Sequence, residues 1–253
     1  MPPKTVLVTG ANRSIGFCVA QLLGRNPSVS HVIVGARTQA KAEEGVGELK
    51  ALVPQGKFVP LELDVASDES IKAAVAAVEK GIGSLDVLIN NAGIAASPSE
   101  DLSDYRAIYS PVFDTNVTAV GLVTSHFLPL LRKGSRGTHS GRDEPRVINV
   151  SSGRASLNKL TTGDMAATVS VPYSVSKVAL NVLTLEMAKA HPDVVFQLVN
   201  PGHCRTAFNG FKGARDPLEG AEVAVDLALA EDGQFEGAGF WEKVDGTVRK
   251  MAW

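Results

Sequence analysis

The sequence predicts an α/β protein: a single domain spanning 1–253, built on a doubly wound parallel sheet of about seven strands with helices on both faces. Two observations carry this prediction. Strand-sized runs of aliphatic and β-branched residues recur along the chain, and the stretches between them repeat their apolar positions every three or four residues. Runs that are apolar on both faces suit parallel strands, because the crossovers joining such strands place helices over each face of the sheet.

The strand-sized runs are Thr5 to Val8, His31 to Val34, Phe58 to Leu63, Val87 to Ile89, Val147 to Val150 and Val194 to Val199, with Gly239 to Lys243 a fainter last candidate. Helical periodicity covers Ile15 to Leu23, Ala40 to Leu52 and Ile71 to Val78. A longer helix is expected from about Pro111 to Lys133, with Ser110 as its cap, Pro111 in its first turn and Gly134 at its end. Another runs from about Pro172 to Ala190 and stops before Pro192. Gly134 to Pro145 and Asn158 to Val171 read as loops. The second lies between residues assigned chemistry below, so it is expected to shape a substrate pocket.

Bulk composition narrows the function. Hydrophobic residues make up 44% of the 253 and charged residues 21%, a globular balance. A net charge of -2 offers no basic field for nucleic acid and no polybasic patch for an anionic membrane. Neither partner is expected. Cys18 and Cys204 have no paired spacing and the five histidines are scattered, so no disulfide framework and no metal site is expected. The first strand begins near Lys4 and no apolar stretch approaches the roughly 18 residues needed to span a bilayer. A cytoplasmic protein is expected.

The first strand runs directly into Thr9-Gly10-Ala11-Asn12-Arg13-Ser14-Ile15-Gly16 and then a helix. A strand turning tightly into a helix N-terminus presents backbone N–H groups and a positive dipole end to a pyrophosphate, and glycine lets the backbone approach closely, as in the Rossmann fold. The segment resembles the TGxxxGxG fingerprint of the short-chain dehydrogenase/reductase family, with Ser14 where the middle glycine would stand. A serine there suits a helix cap, and its hydroxyl suits a phosphate. The likeness extends over nearly the whole chain. It implies cofactor contacts from Gly10, Asn12, Arg13, Ser14, Ile15 and Gly16.

The second strand is followed by Gly35-Ala36-Arg37 and not by an acid. A carboxylate there takes the ribose 2'-hydroxyl of NAD, whereas an arginine accommodates the 2'-phosphate of NADP. Arg37 therefore points to NADPH, and Arg13 is placed to grip the same phosphate. The bland alternative makes both arginines solvated loop residues. The family likeness further implies an adenine contact from Asp64 and Val65 after the third strand. Asn90-Asn91-Ala92-Gly93 resembles the family's NNAG motif, implying contacts from Asn90, Ala92 and Gly93.

Tyr173 and Lys177 are four residues apart, which places both on one face of a helix. A neighbouring ammonium favours the phenolate, so the pair is expected to bring the tyrosine toward the working pH. Ser151-Ser152 closes the fifth strand, and the family likeness assigns the second serine as the donor that steadies the substrate oxygen. The segment from Ser152 to Tyr173 is several residues longer than the family's usual dozen. Asn116 lies mid-helix, where asparagine is a poor helix former, and matches the family's fourth catalytic member. The alternative is a helix kink or a buried amide satisfied by backbone.

Asn200 to Thr206 resembles the family's PGxxxT segment, implying that Pro201, Gly202 and Thr206 meet the nicotinamide, with a substrate lid around 203–218. Tyr173 and Lys177 are also implied cofactor contacts. The function these residues imply is NADPH-dependent reduction of a ketone or aldehyde on a hydrophobic small molecule, with reversible alcohol oxidation. Phe208, Phe211, Leu160 and Met165 are candidates for an apolar pocket. The broadly apolar helix around Tyr173 also admits a homodimer. A reading of another class is a regulator that binds NADPH without turnover, but a sensor has no chemical need for Ser152, Tyr173, Lys177 and Asn116 together.

Overall fold

The computed structural model describes residues 3–101, 103–134 and 144–253. Its strands are β1 (Lys4–Val8), β2 (Val29–Ala36), β3 (Phe58–Glu62), β4 (Val87–Asn90), β5 (Arg146–Val150), β6 (Val195–Asn200), β7 (Phe240–Val244) and β8 (Thr247–Lys250). They form one sheet in the order β3-β2-β1-β4-β5-β6-β7-β8. The parallel strands β1 to β7 match the seven expected. β8 is an addition: it pairs antiparallel with β7 through a two-residue turn at Asp245 and Gly246, both at positive φ (49° and 74°).

The helices cover both faces. Helices α1 (Ser14–Arg25), α2 (Gln39–Leu52) and α8 (Pro217–Ala228) pack on one face, and α3 (Asp68–Gly81), α5 (Ala119–Gly134) and α7 (Val171–Ala190) on the other. Strand alternation feeds both layers. Val6, Val8, Val32 and Val34 point to the first, while Leu7 and Ile33 point to the second with Phe127 and Phe196. Phe127 has no exposed surface, and truncating such a side chain to alanine costs roughly 3–5 kcal/mol.

Two sequence expectations require correction. The helix expected from Pro111 begins earlier, as α4 (Tyr105–Phe113), so Ser110 is not a cap and Pro111 lies inside the helix. Pro111 lacks the N–H that the helical ladder would use, and three residues further on a π turn over Asp114–Thr118 leads into α5. The Asn158 to Val171 loop also contains structure. Ser156 caps the short helix α6 (Leu157–Thr161) by accepting from the Lys159 N–H. Of the Gly134 to Pro145 loop, 135–143 lie outside the described residues.

The chain leaves β1 for β2 and β3 on one side, then crosses back to β4 on the other. In an open α/β sheet this reversal opens a crevice at the carboxyl ends of the strands. Gly10, Asn91, Ser152 and Pro201 all follow such strand ends.

Candidate active site

Beyond β1 the turn is tight. Gly10 adopts φ +62°, and a methyl group on Gly16 would stand 2.6 Å from the Gly10 carbonyl oxygen, so both positions demand glycine. Ser14 sits at φ +54°, a left-handed conformation that costs a non-glycine residue about 1–2 kcal/mol. Its expected capping role is corrected, because α1 starts at Ser14 itself. Arg13 occupies the cap position with no side-chain cap bond, and the first turn holds no acidic residue. Such an uncapped N-terminus suits an anion. Ile15 and Asn12 are partly buried beside it. Arg13 and Arg37 are both exposed, and Arg37 directly follows β2.

Asparagines lace the strand ends together. Asn91 donates to the Thr9 and Gly10 carbonyls at 2.9 and 3.2 Å, while Thr9 Oγ1 accepts from the Asn91 and Ala92 N–H groups. Asn90 donates to Asn149 at 2.8 Å and Thr124 at 3.0 Å, and Asn149 passes the chain on to Thr184. Asn90 is thereby committed to the interior. Asp64 lies two residues past β3, and its carboxylate accepts from the Ala66 N–H at 3.2 Å; Val65 beside it is partly buried.

The structure brings Ser152, Tyr173 and Lys177 together. Ser152 is the side chain whose hydrogen bonding eases the Tyr173 phenol toward ionisation. Ser152 Oγ also accepts from the Arg154 N–H at 3.2 Å, and Ser151 bonds Asn181 at 2.6 Å. Lys177 is buried. Its Nζ donates to the Val150 carbonyl at 2.7 Å and lies 5.7 Å from the centre of the Tyr173 ring.

The expected acidification of the phenol is corrected. Burial pushes the Tyr173 phenol above its usual range, and the Ser152 bond offsets only part of that rise. Burial also pulls the Lys177 ammonium down to about 8, since lost hydration weakens the charged form of each group.

Asn116 sits in the π turn, fully buried. Its Oδ1 accepts from the Ile94 N–H at 2.9 Å, and its Nδ2 donates to the Ile94 carbonyl at 2.9 Å and to Ser176 Oγ at 3.0 Å. The backbone-satisfied amide and the helix irregularity weighed from sequence are both present. Gly93 is the meeting point: a Cβ there would stand 3.2 Å from Asn116 Oδ1 and 3.8 Å from Lys177 Nζ.

After β6 the chain turns at Gly202, with φ +80°. Arg215 holds this turn from behind, donating to the carbonyls of Pro201 at 3.2 Å and Lys243 at 2.9 Å. Sequence reasoning missed Arg215, whose contacts depend on a β-bridge between Cys204 and Arg215 that folds 203–215 back on itself. Thr206 is buried and opens a 3-10 turn with a capping box to Asn209. That turn carries Phe208, whose ring centre lies 5.5 Å from that of Tyr173. Of the other pocket candidates, Phe211 and Leu160 are exposed and Met165 is half-buried. His203 is exposed. Both cysteines are free thiols, pushed up to about 11 by burial.

Among the described residues, no group of three His, Cys, Asp or Glu side chains is placed to hold a metal ion, and no helix is long and apolar enough to cross a membrane. A doubly wound sheet with serine, tyrosine and lysine converging at its crevice defines a Rossmann-type oxidoreductase. The chain belongs to the short chain dehydrogenase family, whose model matches residues 4–216. It is 37% identical over 266 residues to a short-chain dehydrogenase/reductase of Aspergillus fumigatus, covering 99% of this chain and 97% of that one. A short-chain dehydrogenase of Penicillium roqueforti is 38% identical over 229 residues, covering 88% and 87%. Among solved structures, the NADPH-bound carbonyl reductase from chicken fatty liver superposes with a TM-score of 0.83 at 28% identity, covering 100% of this chain and 95% of that one.

Proposed function

We propose that the protein reduces the carbonyl of a hydrophobic ketone or aldehyde with NADPH in preference to NADH, and oxidises the corresponding alcohol in reverse. The observation that carries this is the convergence of Ser152, Tyr173 and Lys177 beside an uncapped helix N-terminus. NADPH, when bound, supplies the hydride. Its pyrophosphate would lie against Gly10, Asn12, Ser14, Ile15 and Gly16, and its 2'-phosphate between Arg13 and Arg37. Asp64, Val65, Ala92, Gly93 and the backbone of Asn90 would border the adenosine, and Pro201, Gly202 and Thr206 the nicotinamide.

The chain's own groups handle the proton and the oxygen. A phenol is protonated at neutral pH and burial favours that form further, so Tyr173 donates its proton to the carbonyl oxygen in the reductive direction. Ser152 steadies that oxygen by hydrogen bonding. Lys177 holds the nicotinamide ribose and supports the tyrosinate left after transfer. Asn116 holds the Ile94 backbone beside Lys177 as part of a proton-relay post.

The 203–218 lid, with Phe208 against Tyr173, supports an apolar substrate. The net charge of -2 supports a small-molecule partner and no nucleic acid, and the two free cysteines suit a reducing cytoplasm. Val171, Val175 and Val182, exposed along α7, support a homodimer through the helices bearing Asn116 and Tyr173.

The test follows NADPH absorbance against a panel of ketones, aldehydes and quinones. Consumption with at least one apolar carbonyl is expected. Tight NADPH binding with no consumption across the panel would replace this reading with the sensor.

A further inference from the structure

Two loops border the cleft from the same side: the one that follows Ser152 and the one that begins at Pro201. A single carboxamide joins them. Asn200, the last residue of β6 and buried, accepts at Oδ1 from the Gly153 N–H at 2.9 Å and from the Gly202 N–H at 3.0 Å. Gly153 adjoins Ser152, and Gly202 lies in the turn proposed to face the nicotinamide. Whatever fixes this carboxamide fixes the distance between hydroxyl donor and cofactor edge.

An amide head can rotate to present either its oxygen or its NH2 to the two loops. Only the oxygen can receive two N–H donors. The two N–H donors favour that orientation, and it is locked from behind. Glu242 is the register partner of Asn200 on the neighbouring strand β7, and its Oε2 accepts from Asn200 Nδ2 at 3.0 Å. A carboxylate is an acceptor only, so it compels Asn200 to turn its NH2 toward β7 and its oxygen toward Gly153 and Gly202. Lys159, on α6, lies 3.2 Å from the same carboxylate and neutralises it from the solvent side.

We infer that Glu242 is a positioning residue for the reaction: through Asn200 it sets the relative placement of the Ser152 loop and the Pro201 turn. The inference rests on the reductase reading above. It places the control in the Asn200 bond and not in the ion pair, because Lys159, although it stands on α6 in the segment after Ser152, meets the Glu242 carboxylate and not Asn200.

The test uses the full chain and two readouts, amide hydrogen exchange at Gly153 and Gly202 and steady-state turnover with NADPH. Glu242→Leu is expected to speed exchange at both glycines about tenfold and to lower kcat about 10- to 100-fold, with KM for NADPH within about threefold. Exchange at Val147, in the core of β5, stays as in the wild type. Glu242→Gln restores both readouts, since its carbonyl still accepts from Asn200. Lys159→Met leaves both within about threefold.

Asn200→Asp supplies a second route, should Glu242→Leu not fold. It sets two carboxylates face to face and is expected to loosen both glycines, and adding Glu242→Gln is expected to tighten them again. Unchanged exchange at either glycine, equal losses in Lys159→Met and Glu242→Leu, or no recovery in the Asn200→Asp, Glu242→Gln double variant overturns the inference. A wild-type protein without turnover overturns the reductase reading instead, and leaves the exchange result to decide the role of Glu242.

Discussion

Lys177 presents its ammonium to the face of the Tyr173 ring, 5.7 Å from the ring centre, while its hydrogen bond goes to the Val150 carbonyl. The side chain that pulls the tyrosine's hydroxyl toward ionisation is Ser152 instead. The ring and the hydroxyl therefore have separate partners. Tyr173→Phe keeps the ring against Lys177 and Phe208 and removes only the proton donor. Turnover is expected to fall about 10²- to 10⁴-fold while NADPH affinity stays within a few-fold. Fluorescence titration of the cofactor beside steady-state kinetics checks both, and full activity in this variant would remove the phenol from the mechanism.

The buried amine makes stability depend on pH in a definite direction. Lys177 holds its proton to about 8 in the folded protein and to 10.5 when unfolded. Between those values the unfolded chain binds more protons, so this residue's contribution to stability rises with pH across the window. Lys177→Met lacks the rise. Urea midpoints from pH 7 to pH 10 should show wild type gaining on Lys177→Met, by on the order of 3 kcal/mol if the whole window were traversed. A constant difference would mean that the amine is hydrated and not buried.

Arg37 follows β2 immediately and is exposed. Arg37→Asp replaces a group that attracts a 2'-phosphate with one that repels it and accepts from a ribose hydroxyl. The ratio of kcat/KM for NADPH over NADH is expected to drop at least about tenfold. An unchanged ratio would leave Arg37 a solvated surface residue.

Strands β1 to β6 were legible because their aliphatic residues cluster: β1, β4 and β5 are buried along their whole length, and even the edge strand β3, which ends on the exposed Glu62, keeps Phe58 and Leu61 buried. β8 was not: three of its four residues are exposed, and its turn signal is only the pair Asp245-Gly246. Helix α8 does carry its signals, an Asp216 cap and Pro217 in the first turn, but they fall within the stretch read as lid. Tyr173 and Lys177 were legible because helical spacing alone places them together. Glu242 was not, since it meets Asn200 only through the register of β6 and β7, and no local pattern encodes a contact between residues 42 positions apart. The phenol's acidity failed as an expectation because spacing reports proximity, whereas burial decides hydration.

Ser14 stores strain in the turn. At φ +54° its Cβ crowds its own backbone, and its side chain caps no helix in return. Ser14→Gly is expected to stabilise the protein by up to about 1 kcal/mol, less the entropy a glycine adds to the unfolded chain. Thermal unfolding without cofactor measures this. If the hydroxyl serves a phosphate, NADPH affinity falls in the same variant, and the two effects have opposite signs.

Asn116 has two roles that one substitution can separate. Its carboxamide, set in a π turn, satisfies both the N–H and the carbonyl of Ile94, so Asn116→Ala strands two partly buried backbone groups. The expected loss of stability is about 2–4 kcal/mol. That loss is structural and says nothing of catalysis, so activity must be read well below the unfolding transition. There, a kcat reduced at least tenfold with NADPH affinity retained would mark a proton-relay role beside Lys177, because both side chains border Gly93. A kcat close to that of the wild type would confine Asn116 to holding Ile94 in place.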